Sequence, residues 1–188
     1  MDIGTGDGAF VYNQARTCSD HLFIGIDSNA ENLAKYSQKA AQKPAKGGAP
    51  NALFVHANCE RLPDELCGVA QELSILLPWG SLLKAVVLPE LAVLQGFRRM
   101  CTDQATLRVV FGYNQCCEPG ITTALDLPPL TCEYLETILI PRYAKAGFAV
   151  RVRRMGSIEL RDIPTTWAKR LSYGKDRDFF EITGHVCR

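Results

Sequence analysis

Apolar residues along the chain fall in short blocks, separated by polar stretches with helical spacing. His21 to Asp27 (HLFIGID) is an apolar run ending in an acid, the pattern of a strand buried on both faces. Ser28 is placed to cap a helix running from about Asn29 to Lys43. Lys43 to Asn51 (KPAKGGAPN) reads as a loop. Leu53 to His56 and Leu73 to Leu77 are further strands. A helix opens near Pro89, a residue tolerated in a first turn, and runs to Met100. Thr106 to Phe111 is the next strand. Thr131 caps a helix towards Ala146, which Pro141 kinks or splits and Gly147 ends. Phe148 to Val152 and Phe179 to Val186 complete the strands. This alternation predicts an α/β fold, with a mostly parallel sheet covered on both faces. No internal repeat or low-complexity tract interrupts it.

The start of the chain breaks the rhythm. Gly4-Thr5-Gly6-Asp7-Gly8 reads as the turn after a strand and opens a helix over Ala9 to Thr17, yet only Met1 to Ile3 precede it. The first strand is therefore expected to be a truncated stub, with an N-terminal segment missing. Glycines in such a turn let the backbone bend sharply and a ligand come close. Asp27 ends the second strand, where a carboxylate can accept both hydroxyls of a ribose. A nucleoside-containing ligand is the expectation. The spacing is G-x-G-x-G rather than G-x-G-x-x-G, and Asp2 and Asp7 flank the turn, where they repel a pyrophosphate. They attract an ammonium or a sulfonium, so the charges favour S-adenosylmethionine.

Ligands of open α/β sheets bind outside the carboxyl ends of the strands. Pro78-Trp79-Gly80-Ser81 stands at the end of the Leu73 to Leu77 strand. Amino-group methyltransferases commonly carry Asn/Asp-Pro-Pro-aromatic here; Leu77-Pro78-Trp79 keeps the stacking surface without the amide or acid acceptor. Trp167 lies in the connection after the Phe148 strand and is expected at the same edge, with Lys169 and Arg170 close behind. Core packing is the commoner fate of any single Trp. These are the only two tryptophans, however, and both lie in polar or Pro/Gly-containing loops. Stacking on an aromatic ring is worth about 1–3 kcal/mol per base, and flipping a nucleotide costs a few kcal/mol. One ring barely offsets flipping, whereas two can exceed it.

Composition narrows the setting. The chain has 188 residues, 47% hydrophobic and 22% charged, the proportions of one globular domain. No apolar stretch of about 18 residues occurs. The greasiest region, Leu73 to Leu94, is broken by Pro78, Gly80, Lys84, Pro89 and Glu90, which argues against a membrane span. The opening residues resemble no secretory signal. The eight cysteines include no C-x-x-C pair, and the three histidines show no ligand spacing, so no metal site is expected. Reduced thiols in a cytoplasmic protein fit this usage. The formal net charge is +1, but Arg142 to Arg188 holds 11 basic and 5 acidic residues. Lys35, Lys39, Lys43 and Lys46 form a second basic run with no acid between them. Two such patches on one small domain point to a polyanionic partner.

Together these segments resemble the aminoglycoside-resistance 16S rRNA adenine-N1 methyltransferases of the kanamycin–apramycin resistance type. The matching stretches are DIGTGDG (Asp2 to Gly8), GIDSNAENL (Gly25 to Leu33), KPAKGG (Lys43 to Gly48), ILLPWGSLL (Ile75 to Leu83), WAKRLSYG (Trp167 to Gly174) and FFEITGHV (Phe179 to Val186). PWG together with WAKRL is specific; the glycine loop alone is not. The resemblance implies one Rossmann-like class I methyltransferase domain over residues 1–188, with a mostly parallel seven-stranded sheet. It implies S-adenosylmethionine as donor and N1 of adenine 1408 as target, in the decoding site of helix 44 of the 30S subunit. Asp2, Gly4, Asp27, Glu60, Pro78, Ser81 and Thr165 match cofactor positions. Trp79 and Trp167 match the base-stacking pair, and Lys43, Lys46, Arg170, Lys175 and Arg177 match rRNA-binding positions. Asp176 and Asp178 interrupt a stretch that is usually more basic. Residues 112–130 carry no motif that transfers.

The chemistry implied is direct methyl transfer. The N1 lone pair of adenine is mostly unprotonated at neutral pH and needs no general base. A monomer is expected. Two alternatives remain: an N-methyltransferase of small-molecule amines, and a truncated RNA-binding relic without activity.

Overall fold

The computed structural model describes residues 1–114, 119–172 and 178–187. Its frame is a seven-stranded sheet in the order β3-β2-β1-β4-β5-β7-β6. The strands are β1 (Asp2–Ile3), β2 (Phe23–Asp27), β3 (Ala52–His56), β4 (Ala70–Leu76), β5 (Cys101–Gly112), β6 (Phe148–Met155) and β7 (Phe179–Val186). Neighbours from β3 to β5 run parallel; β7 is antiparallel to both β5 and β6.

Although β1 is two residues long, it is held on both sides. Asp2 and Ile3 pair with Gly25 and Ile26 of β2, and Asp2 also pairs with Ser74 of β4. The stub thus lies mid-sheet. Gly25 has a packing reason: a Cβ there would stand 2.9 Å from Thr5 Cγ2 and 3.1 Å from Val11 Cγ2. The missing side chain lets the glycine turn and the first helix press onto β2.

The helices are α1 (Ala9–Thr17), α2 (Ala30–Ala40), α3 (Gly80–Val87), α4 (Leu91–Met100), α5 (Pro119–Ala124), α6 (Cys132–Tyr134), α7 (Ile140–Lys145) and α8 (Thr166–Leu171). Several differ from the sequence expectation. Asn29, not Ser28, caps α2: its side chain accepts from Glu31 N and Asn32 N, while Asp27 Oδ1 accepts from Asn29 N at 2.9 Å. The acid at the end of β2 selects which of two adjacent capping residues is used. Helix α2 stops at Ala40, short of Lys43. Pro89 lies outside α4, whose N-cap is Glu90. Pro141 neither breaks nor ends its helix, because a π-helical segment, Leu135–Leu139, joins α6 to α7 just before it. The missing proline N–H falls where the hydrogen-bond register is already shifted. Helices α3, α5 and α8 were not expected, and β5 begins at Cys101 rather than Thr106.

The main core joins Ile3, Ile26, Leu73, Ile75, Leu83, Leu94, Phe97, Val109 and Phe148. A smaller cluster of Leu76, Val110, Met155, Leu160, Ile163, Ala168 and Phe179 lies beside it. Through the fully buried Ala168 this second cluster anchors α8 to the carboxyl edge of the sheet. No single helix among the described residues is long and apolar enough to cross a membrane. The most apolar pair, α3 and α4, is bent by 97°.

Candidate active site

A cleft of about 640 Å³ opens at the carboxyl ends of β1, β2 and β4. Its floor is the glycine turn. Gly4 N and Thr5 N donate to Ile26 O at 2.8 and 3.0 Å, tying the turn to β2. Gly4 and Gly6 have φ of +75° and +62°, left-handed values that L side chains seldom adopt. No atom stands within 4 Å of where a Gly6 Cβ would be, so the backbone there faces open space.

Asp27 braces this floor. Its Oδ2 accepts from Gly6 N at 2.8 Å and its Oδ1 from Asn29 N. Each oxygen keeps a further lone pair for a ligand. Asp2 is almost fully buried, and Ser74 Oγ donates to its Oδ1 at 2.6 Å. Burial pushes its carboxyl up to about 6, with the Ser74 hydrogen bond opposing. A buried, under-neutralised acid beside an open glycine cradle fits a cationic nucleoside.

The other end of the cleft carries the two tryptophans. Trp79 is the N-cap of α3 and follows a sharp turn in which Leu77 has φ of +55°. A left-handed Leu is a strained conformation worth about 1–3 kcal/mol. Leu77 N donates to Val110 O at 2.7 Å, which holds the turn against the sheet. Trp167 sits in the first turn of α8, whose N-cap Thr165 accepts from Ala168 N through its hydroxyl. Both indoles are 53% exposed. Their ring centroids are 6.5 Å apart and their planes lie within 12° of parallel. Two stacking distances of about 3.4 Å exceed that centroid separation, so the indoles part slightly to take a base between them.

Asp2, Gly4, Asp27, Pro78, Trp79, Ser81, Thr165, Trp167 and Arg170 all line this one cleft. Arg170 lies with its guanidinium 5.6 Å from the Trp167 ring centroid, in cation–π range. Glu60 does not line the cleft; it is exposed next to Cys59, which does. Lys43 and Lys46 are exposed at the short turn after α2, away from the cleft lining. Lys175 and Arg177 lie outside the described residues. Part of the carboxyl-terminal positive charge is paired internally, and Glu181 also takes Arg108 of β5. Arg153 bonds Glu181 and Glu159, and Arg154 pairs with Asp178.

One link at the site carried no sequence signal. Asp7 Oδ1 accepts from Ala9 N at the start of α1, and Asp7 Oδ2 accepts from Thr166 Oγ1 at 3.1 Å. The glycine turn and the helix bearing Trp167 are thereby joined across nearly the whole chain. No periodicity or spacing connects residues so far apart.

The sheet order with its reversed β7, the glycine turn after β1 and the acid ending β2 define a class I S-adenosylmethionine-dependent methyltransferase. The family model for NpmA, 16S rRNA (adenine(1408)-N(1))-methyltransferase, matches residues 1–186. The chain belongs to that family. It is 35% identical over 190 residues to the 16S rRNA (adenine(1408)-N(1))-methyltransferase of Escherichia coli, covering 100% of this chain and 87% of the relative. Among solved structures, a variant of the enzyme of the same name from Catenulisporales acidiphilia, with its cosubstrate SAM, superposes at a TM-score of 0.89. Its sequence identity is 36%, over 100% of this chain and 84% of the other. The aminoglycoside resistance methyltransferase NpmB1 gives a TM-score of 0.83 at 42% identity, over 97% of this chain and 85% of the other.

Proposed function

We propose that this protein transfers a methyl group from S-adenosylmethionine to N1 of adenine 1408 of 16S rRNA in the 30S subunit, with the target base held flipped between Trp79 and Trp167. The observation that carries this reading is the half-exposed, near-parallel indole pair 6.5 Å apart, at the open end of a cleft whose other end is acidic.

At the acidic end, Asp27 accepts the ribose hydroxyls with its remaining lone pairs, and the Gly4 to Gly6 backbone lets the nucleoside approach. Asp2 attracts the ammonium of the zwitterionic amino-acid end and the nearby sulfonium. Pro78, Ser81 and Thr165 shape the wall between the two ends. Bound S-adenosylmethionine supplies an electrophilic methyl on a sulfonium. The remaining work falls to positioning. The two indoles offset the loss of stacking when the base leaves its helix. Their faces also tolerate the positive charge that the ring gains as N1 is methylated. No side chain is required as a base, because the N1 lone pair lies in the ring plane and is free at neutral pH.

Arg170 serves twice, propping Trp167 from one side and meeting rRNA phosphate. Lys43, Lys46, Lys175 and Arg177 add phosphate contacts around helix 44. The protein acts as a single methyltransferase domain and a monomer, in the cytoplasm with ribosomes, and its methylation confers aminoglycoside resistance.

Primer extension on 30S subunits after incubation with protein and S-adenosylmethionine tests the reading. A new stop immediately before adenine 1408 that requires the cofactor is expected. A protein that binds 30S without holding cofactor, or a stop elsewhere, overturns it.

A further inference from the structure

Away from the cleft, three side chains of different chemistry converge on one turn. Cys18 is the C-cap of α1, and Asp20 and His21 follow it on the way into β2. Cys18 Sγ stands 3.0 Å from Asp20 Oδ1 and 3.1 Å from His21 Nδ1, and His21 Nδ1 stands 3.1 Å from Asp20 Oδ1. The three atoms form a nearly equilateral triangle. One thiol proton and one imidazole proton serve at most two of its three edges with hydrogen bonds. We infer that Cys18, Asp20 and His21 form a binding site for a borderline-soft divalent cation of the zinc class.

The geometry suits such an ion. An atom seated above the centre of a triangle with edges of about 3.1 Å reaches all three corners at 2.0–2.3 Å, the range of Zn–N, Zn–O and Zn–S bonds. Relaxation towards tetrahedral angles opens each edge by a few tenths of an ångström. Thiolate, imidazole and carboxylate together suit zinc better than magnesium or calcium, which take oxygen ligands only. On binding, the Cys18 S–H bond breaks, its proton goes to the buffer and an S–metal bond forms. His21 and Asp20 side chains are well exposed, which leaves room for water at the remaining coordination position.

The turn is braced independently of the three side chains. The Asn51 amide group, at the entry to β3, lies 3.0 Å from Ala15 O, 2.9 Å from Cys18 O and 2.9 Å from His21 O. Cys18 N also donates to Gln14 O at 3.0 Å. This bracing fixes the backbone on which the three ligand atoms are mounted, and so reduces the ordering a cation would have to impose. The group carries no sequence signal because C-x-D-H matches none of the usual zinc ligand spacings.

The site lies at the amino end of β2, and the cleft lies at its carboxyl end. Five residues at about 3.3 Å each place roughly 16 Å of strand between them. The ion would therefore clamp the α1–β2 turn without touching the methyl-transfer chemistry.

Zn²⁺ titration of the full chain against a chromophoric chelator, with Co²⁺ as the spectroscopic substitute, tests this. One tight equivalent is expected, with a thiolate-to-cobalt charge-transfer band that disappears in Cys18→Ser. His21→Ala should weaken Zn²⁺ binding by about tenfold or more, comparable with losses at other metal sites. Free Zn²⁺ at a hundredfold excess over its Kd should raise Tm by about 5 °C or more in the unsubstituted chain and not in Cys18→Ser. S-adenosylmethionine binding should be the same in both. A cobalt band that survives Cys18→Ser and vanishes in Cys116→Ser/Cys117→Ser overturns the assignment. So does the absence of any thiolate-to-cobalt band, or Zn²⁺ affinity that neither Cys18→Ser nor His21→Ala changes.

Discussion

The two ends of the cleft are built differently. The cofactor end rests on strand termini: Asp2 and Asp27 belong to β1 and β2, their carboxylates accept hydrogen bonds from Ser74 and from backbone amides, and Asp2 is buried. The base end rests on connections. Trp79 follows a left-handed Leu77, and Trp167 rides on a six-residue helix pinned chiefly by Ala168. Both indoles are half exposed. A small, invariant ligand is thus met by the rigid sheet, and a base that must be pulled from a ribosomal helix is met by side chains on adjustable supports. Asp7 joins the two through Thr166.

That contrast can be broken from either side, and the largest effect is expected at the base end. Trp79→Ala or Trp167→Ala should slow methylation of adenine 1408 by about 10- to 100-fold, from the loss of one stacking contact. Cofactor affinity, measured by calorimetry, should stay within about twofold. A loss of cofactor binding as large as the loss of rate would mean that the two ends are not separate.

At the cofactor end the sharpest probe is pH. The Asp2 carboxyl, pushed up to about 6, attracts a cationic ligand only when ionised. Affinity for S-adenosylmethionine should therefore rise from pH 5 to pH 7, by up to about tenfold per unit below 6. Asp2→Asn should bind more weakly at pH 7 and lose that slope. The free protein should show the opposite trend in stability. The folded pKa lies above the unfolded value of 3.8, so the folded state holds the extra proton between them. Stability from this group falls as pH rises from about 4 to about 6, by on the order of 3 kcal/mol. Thermal unfolding of the free protein and Asp2→Asn across that window should differ accordingly.

Smaller effects are expected on the periphery. Arg170→Glu should weaken 30S binding by about tenfold and lower the salt slope of binding by about one. An unchanged slope would remove Arg170 from the rRNA surface. Thr166→Val removes the bond from Asp7 and should reduce the methylation rate by about two- to tenfold at constant cofactor affinity. Equal rates would show that the two ends work without this link.

The cofactor end was the more legible in the sequence. A glycine turn and an acid at the end of the next strand are local patterns, and their spacing follows from strand and turn geometry. The indoles were legible as residues at one sheet edge; their separation and parallel planes were not. Those depend on the Leu77 backbone and on how α8 docks, and neither has a periodic signature. Helix α8 reads as a loop because its six residues fall short of two turns, and α3 reads as part of an apolar run because Leu82, Leu83, Ala85, Val86 and Val87 are all buried. The cap of α2 moved by one residue because Asp27 engages Asn29 N, a choice between neighbours that composition does not decide. The pairing of Arg153 and Arg154 with acids is likewise invisible in charge counts, which read the whole carboxyl-terminal region as a basic surface.

The grip of Trp79 and Trp167 on the base is tested most directly by electron cryomicroscopy of the protein on the 30S subunit with a non-transferable analogue of S-adenosylmethionine. Adenine 1408 is expected turned out of helix 44, its ring between the two indoles at about 3.4 Å from each. An adenine still stacked in its helix, or one bound beside the indoles rather than between them, would contradict it.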